Sequence, residues 1–335
     1  MTDDQNGARP GPLNHLADVA GLKVGNAHEP AVRTGVTVIL ADQPVTAAVD
    51  VCGGAPGTRE AHALKPGGLV GAVDAIVLAG GSVYGLGAAD GVTAALGAQG
   101  RGYKLRDGAP PAPIVAAAIL FDLANGGDKA WGDEPPYAQL GRAALEAAQA
   151  GGDTALGSVG AGHGARAGAL QGGLGSASAV TADGITVAAL AAVNSFGSVV
   201  APDGKTFWAA PYELDAEFGG GGPAALTAAP DQWPHSKRDP GARENTTICV
   251  VATDAILTNV EAERVAVMAR AGLARAIRPV FAPFDGDVIF ALATGKIAAP
   301  EPRAFTVARI GALAADCLAR AVARGVHEAA RAAAP

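Results

Sequence analysis

The tripeptide Asn245-Thr246-Thr247 could provide a catalytic hydroxyl and a catalytic amine at one position. A threonine hydroxyl is a weak nucleophile unless a base lies beside it, and the α-amino group of an N-terminal threonine supplies that base. An α-amino group titrates near roughly 7.7 to 8.0, so a useful fraction is unprotonated at neutral pH. Attack of the Thr246 hydroxyl on the Asn245 carbonyl, followed by hydrolysis, would create this terminus. By itself, the tripeptide is more often just the start of a strand with two β-branched residues.

Two carboxylates flank a glycine at Asp285-Gly286-Asp287, immediately before an apolar, strand-like segment. Side chains at strand ends often carry function, and a carboxylate there could orient a hydroxyl or stabilise an ammonium group. The alternative is an ordinary Asp-Gly turn. Since no further ligands are evident nearby, the sequence predicts neither a metal site nor a cofactor here.

Two further candidates are Asn194 and Tyr84. Asn194 ends the apolar segment LAAVNSFG, where a fixed side-chain amide could stabilise the charge on a tetrahedral intermediate. Its alternative is a turn residue. Tyr84 lies in the glycine-rich segment LAGGSVYGLGAADGV, which predicts a strand, a turn and a helix. The alternative there is that the glycines only permit tight packing around a half-buried tyrosine.

Short apolar segments bounded by Gly, Pro or Asp predict the strands that must position these residues. They are Val36–Ala41, Ala47–Cys52, Ala75–Ala79, Ile114–Phe121, Ile185–Val193, Thr247–Ala252 and Asp287–Ala293. Longer alanine-rich segments predict the helices Leu86–Gln99, Tyr137–Ala150, Val260–Ala276 and Ala304–Arg324. Because two-sided apolar strands need cover on both faces, this pattern favours a layered α/β or α+β fold.

Residues 201–245 interrupt the pattern, because they are rich in Gly, Pro and charge and include four consecutive glycines. This composition is typical of a flexible linker, and it ends directly at the predicted strand TTICVVAT. A chain can be cut at such a boundary without unravelling its fold. We call residues 201–245 the arm.

Composition limits the class of partner. The net charge of −7 and the absence of an extended basic cluster argue against nucleic acid. The polar, acidic N-terminal segment lacks the features of a secretory signal, and no apolar run is long enough to cross a membrane. A cytoplasmic protein acting on a small molecule is therefore expected. Three widely spaced cysteines, Cys52, Cys249 and Cys317, indicate buried thiols and no disulfide framework.

A dinucleotide-binding protein is one alternative, because a strand, a glycine-rich turn and a helix follow one another between Asp74 and Gly100. The spacing is unfavourable, since Gly85-x-Gly87-x-x-Asp90 lacks the third glycine of that fingerprint. A non-catalytic binding module is a second alternative.

Eight separated motifs resemble, in the same order, the family that contains nylon-oligomer (6-aminohexanoate-oligomer) hydrolase, β-peptidyl aminopeptidases and L-aminopeptidase/D-esterase enzymes. The resemblance spans nearly the whole chain. The motifs are NHLADVAGLKVGNAHEP, GVTVILA, VDVCGGAPGTRE, LAGGSVYGLGAADGV, GGLGSAS, AAVNSFG, ENTTICVVATDA and FDGDVIFALATG. Acetyltransferases of the ornithine-acetyltransferase type also cleave themselves at a threonine, but the Ala-Thr-Met-Leu-like junction that they resemble is absent.

The resemblance implies a single α+β domain over residues 1–335, folded as a four-layer αββα sandwich of the N-terminal-nucleophile type. It implies self-cleavage into residues 1–245 and 246–335, with Thr246 as the nucleophile. It further implies that Asp285 and Asp287 bond to this threonine and that Asn194 and Tyr84 have active-site roles. Processed protomers would assemble as a homotetramer, without a cofactor or metal.

One departure from the family concerns a lysine that relatives often carry between Gly160 and Gly175. This chain has Ala169 and Gln171 where that lysine is expected. Arg166 and His163 are the candidates to replace it, and the sequence does not decide between them. The substrate also stays open among β-peptides, α-peptides with free amino termini, D-amino-acid esters and 6-aminohexanoate oligomers.

Overall fold

The computed structural model describes residues 7–223, 231–237 and 245–332. The strands are β1 (Leu22–Glu29), β2 (Thr34–Val51), β3 (Thr58–Arg59), β4 (Ala72–Ala79), β5 (Val115–Ile119), β6 (Arg166–Ala167), β7 (Leu170–Gln171), β8 (Gly173–Val180), β9 (Thr186–Asn194), β10 (Thr246–Ala255) and β11 (Val288–Ile297). The α-helices are α1 (Ala88–Ala98), α2 (Tyr137–Gln149), α3 (Asn259–Ala276) and α4 (Arg303–Ala332). Short 3₁₀ helices lie at Leu16–Asp18, Ala61–Leu64, Ser82–Gly87, Gly160–Gly162 and Ala210–Tyr212.

The main sheet has the strand order β3-β5-β4-β2-β11-β10-β9-β8, and β1 also pairs with β2. The long strand β2 joins its two halves. Along one edge, residues 34–41 of β2 pair with β1, whereas residues 46–51 pair with β11. A register shift between Leu40 and Val45 separates these stretches. We call β1, β3, β4, β5 and the start of β2 the first half-sheet, and β8 to β11 with the end of β2 the second half-sheet.

Successive side chains along a strand point to opposite faces of the sheet. The buried side chains accordingly form three clusters, one between the half-sheets and one between each half-sheet and its helices. In β10, Ile248 and Val250 belong to the cluster between the two half-sheets, whereas Cys249 and Val251 pack toward α3 and α4. On the first half-sheet, Val36 and its outward-facing neighbours pack against α1 and α2. The order of layers is therefore helix, sheet, sheet, helix, which confirms the predicted α+β class and αββα sandwich.

The described part of the arm packs on the second half-sheet. Ala209 and Phe218 are buried in the same cluster as α3 and α4, and the rings of Phe207 and Phe218 are in edge contact. Residues 224–230 and 238–244 of the arm lie outside the described residues. The division into residues 1–245 and 246–335, with a flexible linker before the cut, stays a prediction.

Candidate active site

Thr246 is the first residue of β10, a central strand whose described residues are all buried. It lies directly opposite Asn194, the last residue of β9. Thr246 is only 4% exposed and Asn245 is fully buried. The Thr246 hydroxyl donates a hydrogen bond to the Asn245 carbonyl. The hydroxyl oxygen therefore lies against the peptide group that the sequence predicts to be cleaved.

The Asp285-Gly286-Asp287 segment reaches this junction because β11 runs parallel to β10, so both strands start at one edge of the sheet. Asn245 and Asp285 form an isolated parallel bridge, and the Gly286 N–H donates to the Asn245 carbonyl at 2.9 Å. A Cβ atom on Gly286 would lie 2.7 Å from Thr246 Oγ1 and 2.8 Å from the Ala55 carbonyl oxygen. Glycine is therefore required sterically between the two carboxylates.

Asp285 and Asp287, which we call the carboxylate pair, are both buried. The Thr247 N–H donates to Asp287 Oδ1 at 2.6 Å, and the Ala282 N–H donates to Asp285 Oδ2 at 2.9 Å. The Gly53 N–H donates to the Asp287 carbonyl oxygen at 3.0 Å. The pair is thus held by backbone groups of three separate segments.

Burial raises the pKa of Asp287 to about 7, and the neighbouring charge of Asp285 adds to this effect. Burial also raises the pKa of Asp285, against which the Ala282 N–H and the charge of Lys237 act. Two buried carboxylates with raised pKa values suit a site that must exchange protons with a hydroxyl and an amine.

Asn194 connects the two half-sheets. Its Nδ2 donates to the Phe121 carbonyl at 3.0 Å, and its Oδ1 accepts from the Arg166 N–H at 2.9 Å. The oxyanion role predicted for this amide depends on its two N–H groups, and the Phe121 carbonyl accepts from one of them. That role stays a prediction.

Tyr84 lies in the 3₁₀ turn Ser82–Gly87 and is 48% exposed. Its ring meets the edge of Trp131 at a centroid distance of 5.7 Å. In the described part of the chain, no hydrogen bond links it to Thr246, Asn194 or the carboxylate pair. The structure thus brings together the other candidates and leaves Tyr84 outside this cluster, and its active-site role stays a prediction.

A cavity of about 600 Å³ opens beside Asn194. It is lined by three charged residues. Arg166 is one of the two candidates for the missing lysine, whereas Asp122 and Lys237 were not assigned to a site from the sequence. The sequence could have identified Asp122 as a site candidate, because it directly follows a predicted strand, just as Asp285 precedes one. Lys237 had no such signal, since it lies in the arm among residues of linker composition. Its Nζ lies 3.3 Å from the Asn194 carbonyl oxygen.

The residues at and near the position of the expected lysine differ in whether they reach the cavity. Ala169 lines the cavity, whereas the Gln171 side chain donates to the Ala165 carbonyl at 3.0 Å. The His163 ring stacks on His28 at a centroid distance of 4.5 Å and is not among the residues that line the cavity.

Of the three cysteines, Cys249 and Cys317 are buried as predicted, whereas Cys52 is half-buried and its thiol donates to the Asp287 carbonyl at 3.4 Å. Across residues 7–223, 231–237 and 245–332, no cluster of three or more His, Cys, Asp or Glu side chains could hold a metal ion. No helix in the same residues combines the length and apolar character needed to cross a membrane.

Known proteins resemble this chain along almost its full length. The sequence pattern of peptidase family S58 matches residues 14–335. The chain is 45% identical to an uncharacterized aminopeptidase of Mycobacterium tuberculosis, with 94% of each chain covered. It is 30% identical to a 6-aminohexanoate-oligomer endohydrolase of Agromyces sp., with 84% of this chain and 76% of the relative covered.

Two solved structures share the fold. A β-aminopeptidase of Burkholderia sp. superimposes with a TM-score of 0.68 at 24% identity, covering 95% of this chain and 87% of the other. The L-aminopeptidase D-Ala-esterase/amidase of Ochrobactrum anthropi, described as a variant of the Ntn hydrolase fold, gives a TM-score of 0.69 at 23% identity. That match covers 96% of this chain and 88% of the other.

Proposed function

The chain belongs to peptidase family S58, and from this premise we propose that it is a self-processing amide hydrolase whose nucleophile is the N-terminal threonine of residues 246–335. Family membership and the aminopeptidase relatives identify a hydrolase of peptide or amide bonds. One observation carries the finer assignment: the Thr246 hydroxyl lies against the Asn245 carbonyl at the edge where the carboxylate pair is buried.

In the proposed self-cleavage, Thr246 Oγ forms a bond to the Asn245 carbonyl carbon and its proton moves to a carboxylate of the pair. The C–N bond then breaks as the Thr246 nitrogen takes a proton, which leaves an ester between the two residues. Water hydrolyses this ester to the Asn245 carboxylate and the Thr246 hydroxyl. Each step is thus a proton transfer or an acyl transfer that needs no cofactor.

The uncut junction buries unsatisfied polar atoms, which costs free energy that cleavage can recover. Both side-chain polar atoms of Asn245 are buried without a hydrogen-bond partner in the described part of the chain. A buried polar group left unsatisfied costs about 1–3 kcal/mol. Once the peptide bond is cut, Asn245 can leave the site and regain water.

In turnover, the same hydroxyl attacks a substrate carbonyl while the α-amino group of Thr246 takes its proton. That proton passes to the leaving amine, and water then releases the acyl group from Thr246. The carboxylate pair orients the threonine and stabilises its ammonium form. In this proposal the side-chain amide of Asn194, which pairs with Thr246 on the neighbouring strand, donates to the developing oxyanion.

Small peptides and 6-aminohexanoate oligomers are the proposed substrates. The support is the names of the relatives, together with a cavity lined by both acidic and basic side chains, which suits a substrate with an amine and a carbonyl or carboxylate. We further propose a cytoplasmic homotetramer of processed protomers. Exposed apolar side chains such as Ile256, Val260 and Phe305 support the existence of an interface.

The test is intact-mass analysis of the purified, denatured protein, followed by hydrolysis assays on a panel of these amides. We expect two pieces, residues 1–245 and 246–335, with the second beginning Thr-Thr-Ile-Cys. They should stay together under native conditions because β10 lies between β9 and β11. A single uncut chain that hydrolyses amides would contradict the mechanism, and sedimentation as a monomer at micromolar concentration would contradict the assembly.

A further inference from the structure

The last described segment of the arm, residues 231–237, forms an ordered wall of the active-site cavity. The Lys237 N–H donates to the Phe196 carbonyl at 3.0 Å. The Trp233 ring meets the Phe196 ring edge-on, at a centroid distance of 6.2 Å. Phe196 in turn packs edge-on against Phe284, the residue before the carboxylate pair, at 4.9 Å. Three aromatic rings thus fix this wall to the loops that carry the site.

The side chain of Lys237 turns back toward the nucleophile. Its Nζ lies 3.3 Å from the carbonyl oxygen of Asn194, which is directly opposite Thr246 in the sheet. Its charge also acts on Asp285, whose pKa it lowers against the effect of burial. The ammonium group therefore lies beside the strand pair that carries the nucleophile and acts electrostatically on Asp285.

The groups on the opposite side of the carboxylate pair do not supply a cation. Burial raises the pKa of the Cys52 and Cys249 thiols, with the charge of Asp287 adding to the effect, so both thiols stay neutral at physiological pH. Behind Cys52, Asp50 is already paired with Arg270. These groups surround the pair from β2, β10 and α3.

Two other basic residues line the cavity, but their side chains are placed differently. Arg166 is exposed, and its backbone N–H, not its guanidinium, bonds Asn194. The His235 ring lies 3.2 Å from the Pro202 carbonyl oxygen, on the arm itself. Lys237 is consequently the basic side chain of the cavity that acts on the carboxylate pair within the described residues.

We propose that Lys237 is the positioning cation of the Thr246 site, supplied by the arm after the fold has wrapped residues 231–237 against the cavity. Its charge favours the ionised form of Asp285 and opposes protonation of the Thr246 amine in the processed enzyme. The inference rests on the proposed function of Thr246. It also explains how an enzyme with Ala169 and Gln171 at the usual lysine positions retains a positive charge in its site.

Removal of the charge has a defined electrostatic consequence. A nearby cation lowers the pKa of carboxyl groups and of amines alike. Without it, both the carboxylate pair and the Thr246 α-ammonium hold their protons to higher pH. The acidic limb of kcat/KM therefore moves upward. A purely structural lysine would change the rate without moving that limb.

The test compares Lys237→Met, Lys237→Arg and the control Lys205→Met, each as the full-length chain. Lys205 lies on the same arm and is exposed, away from the cavity. We expect Lys237→Met to shift the acidic limb of kcat/KM up by about one pH unit. Lys237→Arg and Lys205→Met should keep the limb at the wild-type pH. An unmoved limb in Lys237→Met, or an equal shift in the arginine variant, would overturn the proposal.

A second measurement separates this inference from the proposed function. The measurement is the free energy of unfolding of the Thr246→Ala chain, and it needs no substrate. This free energy should decline with rising pH until the carboxylate pair is ionised. Adding Lys237→Met should extend that decline to higher pH, whereas adding Lys205→Met should not. If all amides fail as substrates but this extension is observed, the proposed function is wrong, whereas the electrostatic action of Lys237 on the carboxylate pair stands. Identical stability profiles would refute the role of Lys237 directly.

Discussion

Two buried clusters in this molecule contain carboxylates, and they differ in whether a cation forms an ion pair with them. Glu217 on the arm has a side chain that is only 7% exposed, and it forms ion pairs with Arg320 and Arg324 of α4. Asn14 Nδ2 also donates to it at 2.6 Å. The carboxylate pair forms no ion pair within the described residues, and Asp285 Oδ1 has no hydrogen-bond partner there.

The difference separates a cluster that holds the fold, which we call the structural cluster, from the one proposed to carry the chemistry, which we call the chemical cluster. Because removal from water is costly for a charge, a buried carboxylate needs a cation and hydrogen bonds if it serves only to hold the fold. Glu217 has both, and its contacts join residues 1–245 to residues 246–335. Asp285 and Asp287 instead have raised pKa values, which is the usual mark of a site that transfers protons.

The most severe change at the chemical cluster is Thr246→Ala, which removes the proposed nucleophile of both reactions. We expect an uncut, inactive chain with a normal fold, because only a few buried atoms are lost. Thr246→Ser keeps a hydroxyl and should retain part of both activities, and Thr247→Ala should be milder than Thr246→Ala. Mass spectrometry and amide hydrolysis provide the measurements. Full activity of Thr246→Ala would show that the nucleophile lies elsewhere.

Neutralising either member of the carboxylate pair should slow self-cleavage and turnover, whereas Thr246→Ala should abolish both. Asp285→Asn and Asp287→Asn preserve shape but remove the charge that we propose orients the threonine. We expect self-cleavage and turnover to fall by about 10² to 10⁴, the range for positioned acid–base groups. Time courses of precursor cleavage and kcat/KM measure both effects. Wild-type rates in both variants would remove the distinction between the two clusters.

Glu217→Ala should show the reverse behaviour, with lost stability and retained chemistry. The substitution leaves the charge of Arg320, whose side chain is 2% exposed, without its partner. Breaking a buried pair in this way costs about 3–5 kcal/mol. Denaturant unfolding in the Thr246→Ala background measures the loss.

The matched control is Arg331→Ala, which breaks an exposed ion pair with Glu328 and should cost at most about 1 kcal/mol. The folded fraction of processed Glu217→Ala should hydrolyse amides at the wild-type rate. A drop in that rate comparable to Asp287→Asn would assign Glu217 to the chemical cluster.

A smaller expected effect is that the carboxylate pair makes the stability of the fold depend on pH. The folded pKa of Asp287, about 7, lies above the ordinary carboxyl value of about 4. Between these values the folded chain binds more protons than the unfolded chain, so stability must fall as pH rises through this window. The Thr246→Ala chain should show this decline in denaturant midpoint. Adding Asp287→Asn should flatten it, and an unchanged slope would contradict the raised pKa.

The smallest expected effect is that of Tyr84→Phe. The tyrosine hydroxyl has no hydrogen bond to the clustered candidates in the described chain, so its loss should cost one solvent-facing interaction. We expect kcat/KM to fall by about tenfold at most, near the net value of one hydrogen bond. A drop of the size expected for Asp287→Asn would place Tyr84 among the catalytic groups.

The sequence by itself determined the class of elements and singled out the junction that we propose is reactive. The predicted strand Ile185–Val193 corresponds to β9, and the predicted helix Val260–Ala276 to α3, because their apolar patterns are strong and local. Thr246 at a strand start and the carboxylates before the next strand were also readable, since both are short motifs at boundaries.

Only the tertiary structure revealed β8 and the continuity of β2. In β8, GLGSASAV has no run of large β-branched residues, and its glycines serve packing: a Cβ on Gly175 would lie 1.9 Å from the Ala321 carbonyl oxygen of α4. For β2, two predicted strands proved to be one, because its neighbours β1, β4 and β11 stabilise it along its whole length.

Only the tertiary structure also decided which charges share the site. Lys237 lies in a segment of linker composition, and no local pattern marks it. Its position is set by a backbone bond to Phe196 and by aromatic packing of Trp233, which are contacts between distant parts of the chain. Residue types and local periodicity predict the elements and the proposed reactive bond, whereas the electrostatics of a site depend on distances that only packing determines.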